Sequence, residues 1–544
     1  MAICVFCTAF LLALLAGCST PQPASPATDL APSAESAIAT SDSPPPAPRE
    51  FRAAWISTVT NIDWPSRRDL TVAQQQAEII DILERASALK LNALVLQVRP
   101  SADAIYPSTL EPWSEYLNGE QGKPPQPFYD PLKMWIDEAH RRGIELHAWF
   151  NPYRAQHSAA KSALARSHIA NTNPSLVRAY GGFLWMDPGE ALAAQRTVDV
   201  ILDVVRRYDI DGVHIDDYFY PYPVPVNAAL AANAATAQAP ELDFPDEPAW
   251  RRYRSSGGTL NRADWRRQNV NALIERLHNG IHREKSWVKF GISPFGIGRP
   301  DRRPAGIVGF SQYDKLYADV ELWLRNGWLD YLAPQLYWPL EQTPQAFEVL
   351  LDYWRRENTR GRHLWPGLFT SRITVANGIN GAVDTGAKSW LPAEIINQVS
   401  TMRRKDGVSG HVHFSMIALT ENRRGISEQL ISGPYLSAAL VPATMWLSLP
   451  STEPFMPRLA VAAGNENGNI KITIAPGDGA PPVQYALWAR YGSTWRFMAI
   501  PAARAEVELI NASNSGTLNS IVVSAVDRLG RESPRVSATL PPAK

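Results

Sequence analysis

Beginning near Arg52, the sequence alternates between short β-rich runs and helical patterns, and this limits the fold more than any other feature. The runs are FRAAWISTV, LNALVLQVRP, IELHAWFNPYR, DGVHIDDYFY, VKFGISPFGI, LDYLAPQLYW, HLWPGLFTSR and GHVHFSMIAL. Between them lie helical stretches such as TVAQQQAEIIDILERASALK, PLKMWIDEAHRRG, AQRTVDVILDVVRRYD and DWRRQNVNALIERLHNGIHRE. Several close on Lys or Arg with Gly or Asn, the signals of a helix C-terminus. Strands alternating with helices build a parallel sheet, and eight of them close a (β/α)8 TIM-type barrel. The alternative is an open doubly wound sheet. No Gly-rich phosphate loop follows the first run, which favours the barrel, and no cofactor is expected.

The barrel pattern occupies residues 49–440. Residues 441–544 differ: RLAVAAG, NIKITIAP, VQYALWARYG, WRFMAI, AEVELI, LNSIVVSAVDRLG and RVSATL are short strands split by turn residues, with no helix between them. They predict an antiparallel β-sandwich. SIVVSAVDRLGRES resembles the late strand and turn of fibronectin type III domains. Such modules space or dock, so a docking partner is the role expected here, and no chemistry is assigned.

The first eighteen residues contain all three cysteines, Cys4, Cys7 and Cys18, so neither a disulfide framework nor a Cys-based metal site is available. MAICVFCTAFLLALLAGCST has an apolar core followed by LAGC, which reads as an export signal over residues 1–18. Leu-Ala-Gly-Cys resembles a bacterial lipobox, implying lipidation of Cys18 and, with Ser19 next, an outer-membrane lipoprotein facing the periplasm. No Lys or Arg precedes the apolar run, a departure from the usual signal. Residues 19–48 are rich in Pro, Ala and Ser and read as a disordered tether. Lys plus Arg equals Asp plus Glu, at 53 each, and no basic stripe appears, which argues against a nucleic-acid partner.

In a barrel, functional groups sit at the C-terminal ends of strands, and side chains alternate between lumen and helices. In DGVHIDDYFY this rule directs His214 and Asp216 inward with Tyr218 above, while Val213 and Ile215 meet the helices and Asp217 falls on the other parity. The same rule selects Gln97 and Arg99, then His147, Trp149 and Asn151, then Ser293, then Gln335 and Tyr337 with Trp338 at the rim, and finally His411, His413 and Ser415. A lumen of Asp, Arg, Asn, Gln, His and Tyr ringed by Trp and Tyr suits a carbohydrate. Sugar hydroxyls need paired donors and acceptors, and sugar faces need aromatic platforms. Glycoside hydrolysis needs two carboxylates flanking the bond. Asp216 is the first; Asp217, Asp187, Glu111 and Glu341 are candidates for the second. No metal is expected to take part.

The stretches AAWISTVTNIDWP, ELHAWFNPYR, MDPG, DGVHIDDYFYP, FGISPFGI and DYLAPQLYWP resemble the glycosyl hydrolase-like ten family over about residues 50–430. That family includes bacterial lipoproteins that cut peptidoglycan glycan strands at the division site. The resemblance implies a (β/α)8 barrel and glycosidase activity on peptidoglycan strands lacking stem peptides. It points to Asp216 and Asp217 as catalytic residues. Trp149, Asn151, Tyr153, Gln335, Tyr337 and Trp338 then line the groove. Together with the parity reading, the substrate-binding set becomes Arg99, His147, Trp149, Asn151, Tyr153, Asp187, His214, Tyr218, Tyr220, Ser293, Gln335, Tyr337 and Trp338. Relatives carry Gln where His214 stands, and the fifth-strand motif here ends in GIGRP rather than in Trp-Arg-Asn. DGVHIDDY also faintly resembles the chitinase signature, but Tyr218 occupies the position of the catalytic Glu.

Two rival readings remain. HVH at 411–413, with His147 and His214, would suit a metal-dependent deacetylase or amidase, although the first strand lacks a His-x-His pair. A non-catalytic cell-wall glycan-binding lipoprotein would need only the aromatic platforms and the sandwich.

Overall fold

The computed structural model describes residues 43–226, 240–374, 389–450, 456–463, 469–478, 481–504 and 506–540. The signal segment, Cys18 and nearly all of the tether lie outside the described residues. The described residues from Pro44 onward form one compact unit. Among the described residues, no helix is long and apolar enough to cross a membrane.

The helices form where periodicity and end signals agree. Val72–Ala88 buries Val72, Ile79, Ile82, Leu83 and Ala86 along one face, and Thr71 with Gln74 closes a capping box at its start. Pro131–Arg141 begins with Pro131 behind an Asp130 cap that accepts the Lys133 N–H, and the Asn261 side chain caps Arg262–Glu284 in the same way. Each such cap contributes roughly 0.5–2 kcal/mol.

Nine parallel strands form one curled sheet: β1 Phe51–Ile56, β2 Ala93–Arg99, β3 Glu145–Phe150, β4 Gly212–Ile215, β5 Lys289–Ile292, β6 Tyr331–Leu332, β7 His363–Leu364, β8 Gly367–Leu368 and β9 Gly410–His413. Their order is β7-β6-β5-β4-β3-β2-β1-β9-β8. The end strands β7 and β8 are separated in the chain only by Trp365 and Pro366, so the sheet bends back on itself. The architecture is TIM-barrel-like, with helices outside.

Two cores follow from the alternation of side chains. Ala54, Leu94, Leu96, Leu146, Ala148, Phe150, Val213 and Ile215 pack toward the helices. Phe51, Ala53, Trp55, Ala93, Val95, Trp149, Tyr331, Ala333, Trp365 and Val412 fill the inside of the curl. Two readings of parity are corrected here. On β9 the register pairs His411 with Arg52, Val412 with Ala53 and His413 with Ala54. Val412 therefore points inward, and both histidines point out. On β2 a register shift between Gln97 and Arg99 leaves Arg99 opposite the outward-facing Phe150. A bulge moves every later side chain to the other face.

Between β3 and β4 lies an antiparallel three-stranded insertion, Arg154–Gln156, Val177–Tyr180 and Phe183–Met186, which the alternation along the sequence does not predict. After the TIM-like region come antiparallel sheets. One holds Arg458–Ala463, Ile470–Ala475 and Glu506–Leu509; the other is built on Gln484–Tyr491, Thr494–Pro501 and Gly516–Val526, and the two share a core of Ile472, Leu487, Val507 and Val523. This region docks on the N-terminal end of the parallel strands. Arg49 pairs with Glu532, the Gln484 amide donates to the Gly143 carbonyl, Arg528 pairs with Asp209, and Ala47 and Leu440 pack on Ala486, Trp488 and Val522. The face of the sandwich bearing Trp488 is thus occupied by the chain itself. A cavity of about 410 Å³ remains at this junction, lined in part by Glu145, Asp211 and Arg528.

Candidate active site

At the C-terminal end of β4 the chain leaves the sheet as Asp216-Asp217, both buried. The two carboxylates face different neighbours. Asp216 Oδ2 accepts the Trp149 indole N–H at 3.1 Å and the Asn151 amide at 3.0 Å, both from the end of β3. Asp217 is turned toward β6 and its own loop, where it accepts the Tyr222 hydroxyl and a hydrogen bond from Gln335.

Burial raises both acids. Desolvation, reinforced by the adjacent Asp217, pushes Asp216 up to about 7, against the opposing pull of Arg154 and the Trp149 hydrogen bond. Desolvation pushes Asp217 up to about 6, opposed by hydrogen bonds from Tyr222 and Gln335 and by Arg154. Two carboxyls so close and so dry resist carrying two charges, and near neutral pH one is protonated while its neighbour ionises. One acid and one base is the division of labour that glycoside hydrolysis needs.

Arg154, which the sequence reading did not select, is the cation beside this pair. Its Nε donates to the Pro100 carbonyl at 2.9 Å, its guanidinium lies 5.1 Å from the Tyr218 ring centre, and its buried Nη2 has no hydrogen-bond partner. It stands in ELHAWFNPYR, but past the strand end, where alternation no longer says where a side chain goes. Tyr222 was missed for the same reason.

Half-buried rings surround the acids. One series runs Tyr222, Phe310, Phe295, Trp338, with successive ring centres 5.0, 5.1 and 5.6 Å apart. Another joins Tyr337 to Phe369 at 4.9 Å and to Phe414 at 5.7 Å, with Trp390 6.2 Å beyond Phe369. Trp64, Trp135, Trp323, Trp354, Trp365 and Trp488, by contrast, are core residues.

Of the predicted residues, Trp149, Asn151, Tyr218, Gln335, Tyr337 and Trp338 gather around the pair. His214 and Ser293 lie just beneath it, hydrogen-bonded to each other at 2.9 Å. His147 faces inward but near the base of the sheet, against Glu145 and Tyr331. Arg99 is not in the lumen: it is fully buried in an ion pair with Glu111 at 2.9 Å and donates to the Asn151 and Pro152 carbonyls. Glu111 is therefore held away from the pair. Asp187 is engaged by Arg178 at 3.0 Å and the Gly189 N–H, and Glu341 is exposed. Tyr153 is buried in the outer core, and Tyr220 packs between Phe244 and Tyr317. His411 and His413 both direct Nε2 at the Tyr435 hydroxyl on the helix side, so they do not meet His147 and His214. Among the described residues, no group of three or more His, Cys, Asp or Glu is arranged to hold a metal ion.

The chain is similar to several known proteins. The family described as glycosyl hydrolase-like 10 matches residues 50–382. Glycosyl hydrolase YngK of Bacillus subtilis is 37% identical over 498 residues, covering 89% of this chain and 92% of its own length. Glycosyl hydrolase DigH of Escherichia coli is 32% identical over 363 residues, covering 63% of this chain and 77% of its own. Among solved structures, the catalytic domain of a β-amylase from Paenibacillus polymyxa aligns at 12% identity, covering 71% of this chain and 99% of that one, with a TM-score of 0.46. The family match and the extent of identity to YngK lead to one conclusion: this chain belongs to the glycosyl hydrolase-like 10 family.

Proposed function

We propose that this protein is a glycoside hydrolase acting on peptidoglycan glycan strands that lack stem peptides, with Asp216 as proton donor and Asp217 as its charged partner. The observation that carries the reading is the buried pair itself. Burial also lifts Asp63, Asp103 and Asp187 to about 6; what sets this pair apart is that two raised carboxyls stand side by side at the C-terminal end of a strand beneath aromatic rings, where acid–base chemistry on a glycan places them. Counted with β7 and β8 as one interrupted strand, the sheet is read as an eight-stranded (β/α)8 barrel. The C-terminal sheets are read as a fibronectin type III-like sandwich. The test is product analysis. Purified, peptide-free glycan strands incubated with the protein should yield new reducing ends or shortened fragments by mass spectrometry. Unchanged strands would refute the reading.

The rings supply the second expectation. Trp338→Ala should weaken glycan binding about three- to tenfold, the scale of one lost aromatic contact. Its melting temperature should change little, because Trp338 lies at the rim. A sharp fall in melting with unchanged affinity, by titration calorimetry, would make the ring a core residue.

The reading includes a lipid anchor at Cys18 and an outer-membrane location facing the periplasm. Cys18→Ala should move the protein from the membrane to the soluble fraction without loss of turnover. A wild-type protein that fractionates as soluble would remove the anchor. A single acyl chain holds a protein only marginally, so stable attachment implies more than one.

A further inference from the structure

Beneath the acid pair, the inside of the sheet carries a line of polar groups that the proposed chemistry does not use. Lys289 Nζ donates to both oxygens of Glu145, at 2.9 and 3.0 Å. Glu145 Oε2 lies 3.0 Å from His147 Nε2, and His147 Nδ1 lies 2.9 Å from the Tyr331 hydroxyl. That hydroxyl lies 3.0 Å from His214 Nδ1. His214 Nε2 meets the Trp55 indole nitrogen at 3.1 Å and the Ser293 hydroxyl at 2.9 Å. His147, His214, Tyr331 and Trp55 are all buried, so water does not compete for these bonds.

The donor directions follow from one member. An indole N–H only donates. His214 Nε2 is therefore an acceptor without a hydrogen, and Ser293 must donate to it as well. The ring hydrogen of His214 then sits on Nδ1 and is donated to the Tyr331 oxygen. Tyr331 has its own hydrogen left, and the acceptor in reach is His147 Nδ1. His147 accordingly carries its hydrogen on Nε2 and donates it to the Glu145 carboxylate. Every bond from Trp55 to Glu145 points the same way, and any other placement leaves a buried donor facing a donor.

The sequence makes room for this line at two glycines. A Cβ on Gly212 would lie 2.5 Å from the His147 ring, and a Cβ on Gly291 would lie 2.1 Å from the Tyr331 ring. Glycine weakens a strand interior unless something must approach the backbone closely, and here two rings do.

At its upper end the line reaches the acids. The Ser293 carbonyl accepts from Gln335 Nε2 at 2.9 Å, and the Gln335 side chain also pulls the Asp217 carboxyl down toward its ordinary range. The Trp149 ring, which donates to Asp216, stands edge-on to His214 with ring centres 6.4 Å apart. At its lower end Glu145 lines the cavity beneath the sandwich.

We infer that these groups form a one-way hydrogen-bond relay through the sheet, in which His214 is a positioning residue. It fixes Ser293 and, through Gln335, Asp217, and its own tautomer, set by the Trp55 indole, is matched from the base by Tyr331, His147 and Glu145. The kinetic part of this inference rests on the glycosidase reading; the tautomers do not.

The direct test uses the wild-type protein labelled with 15N-histidine. Two-bond proton–nitrogen spectra, with signals assigned by His147→Gln and His214→Gln variants, should show His214 protonated on Nδ1 and His147 on Nε2. Imidazole in water prefers the Nε2–H form, so His214 should stand against that preference. His214 protonated on Nε2, or both rings in one tautomer, would overturn the relay. Kinetics give a second arm. The amide of His214→Gln can accept from Trp55 and donate to Tyr331, whereas His214→Leu can do neither. The Leu variant should lose about tenfold in kcat with little change in KM, roughly one hydrogen bond's worth, and the Gln variant should keep most of its rate. Equal losses in the two variants would overturn the positioning role. A wild type inert on glycan would refute the glycosidase reading instead, and the relay would then stand or fall on the tautomers.

Discussion

Asp216→Asn is expected to lower kcat on peptide-free glycan strands by roughly 10²- to 10⁴-fold, the range of a lost general acid. The amide is nearly isosteric, and its oxygen can still accept from Trp149 and Asn151, so the fold should survive. Stability should in fact rise at alkaline pH. Asp216 is held at about 7 in the folded protein, well above its ordinary 3.8, because burial penalises its charge. That penalty is absent below about 4, grows as pH rises toward 7, and is fully present above it. Asparagine removes it, so the variant should melt higher than wild type at pH 8 and about equally at pH 4. Wild-type turnover should be bell-shaped: it falls above about 7 as Asp216 loses its proton and below about 6 as Asp217 gains one. The two limbs belong to the pair rather than to either residue alone. Asp217→Asn should also lose activity, but its melting temperature at pH 8 should rise less than that of Asp216→Asn, since burial lifts Asp217 only to about 6 and the Tyr222 hydroxyl loses a charged acceptor. Full activity in Asp216→Asn would sink this mechanism; inactivity confined to Asp217→Asn would reverse the two roles.

Alternation carried the sequence reading as far as the strands are regular. Val213 and Ile215 against His214, or Ala148 and Phe150 against Trp149, face opposite sides of the sheet as a period of two requires. It failed in three ways, each with a local cause. At β9 polarity is a poor guide to direction: His411 and His413 suit a lumen, but Tyr435, further along the chain, supplies them with a hydroxyl on the helix side. At β2 the bulge beside Val98 carries no signal in the letters LQVRP. Beyond the ends of β3 and β4, Arg154, which opens the inserted sheet, and Tyr222 reach the acids along paths set by contacts with Pro100, Tyr218 and Phe310, which a single sequence does not reveal. The relay was half legible: parity turned His147, His214 and Ser293 inward, but Glu145, Tyr331 and Trp55, which join them into a line, carry no signal of that in their own strands.

Arg99 shows how far one such error reaches, and its removal should produce the largest loss of stability. As a lumen residue it would touch substrate, and Arg99→Met would raise KM while leaving the protein stable. The structure instead gives it a buried carboxylate, Glu111, and two carbonyls of the β3 end, Asn151 at 2.7 Å and Pro152 at 3.1 Å. Breaking a buried pair from one side leaves a charge in a dry environment, which costs about 3–5 kcal/mol. Arg196 lies 3.3 Å from the same Glu111 oxygen but is partly exposed, so it offsets only part of that loss. Turnover should fall too, because the Asn151 backbone that Arg99 holds carries the amide that orients Asp216. Replacing both partners, Arg99→Met with Glu111→Leu, should recover much of the stability, since no unpaired carboxylate remains, but less of the activity, since the β3 end stays unbraced. Chemical denaturation of the single and double variants beside their kcat and KM decides the matter. A stable Arg99→Met protein with only a raised KM would return Arg99 to the substrate.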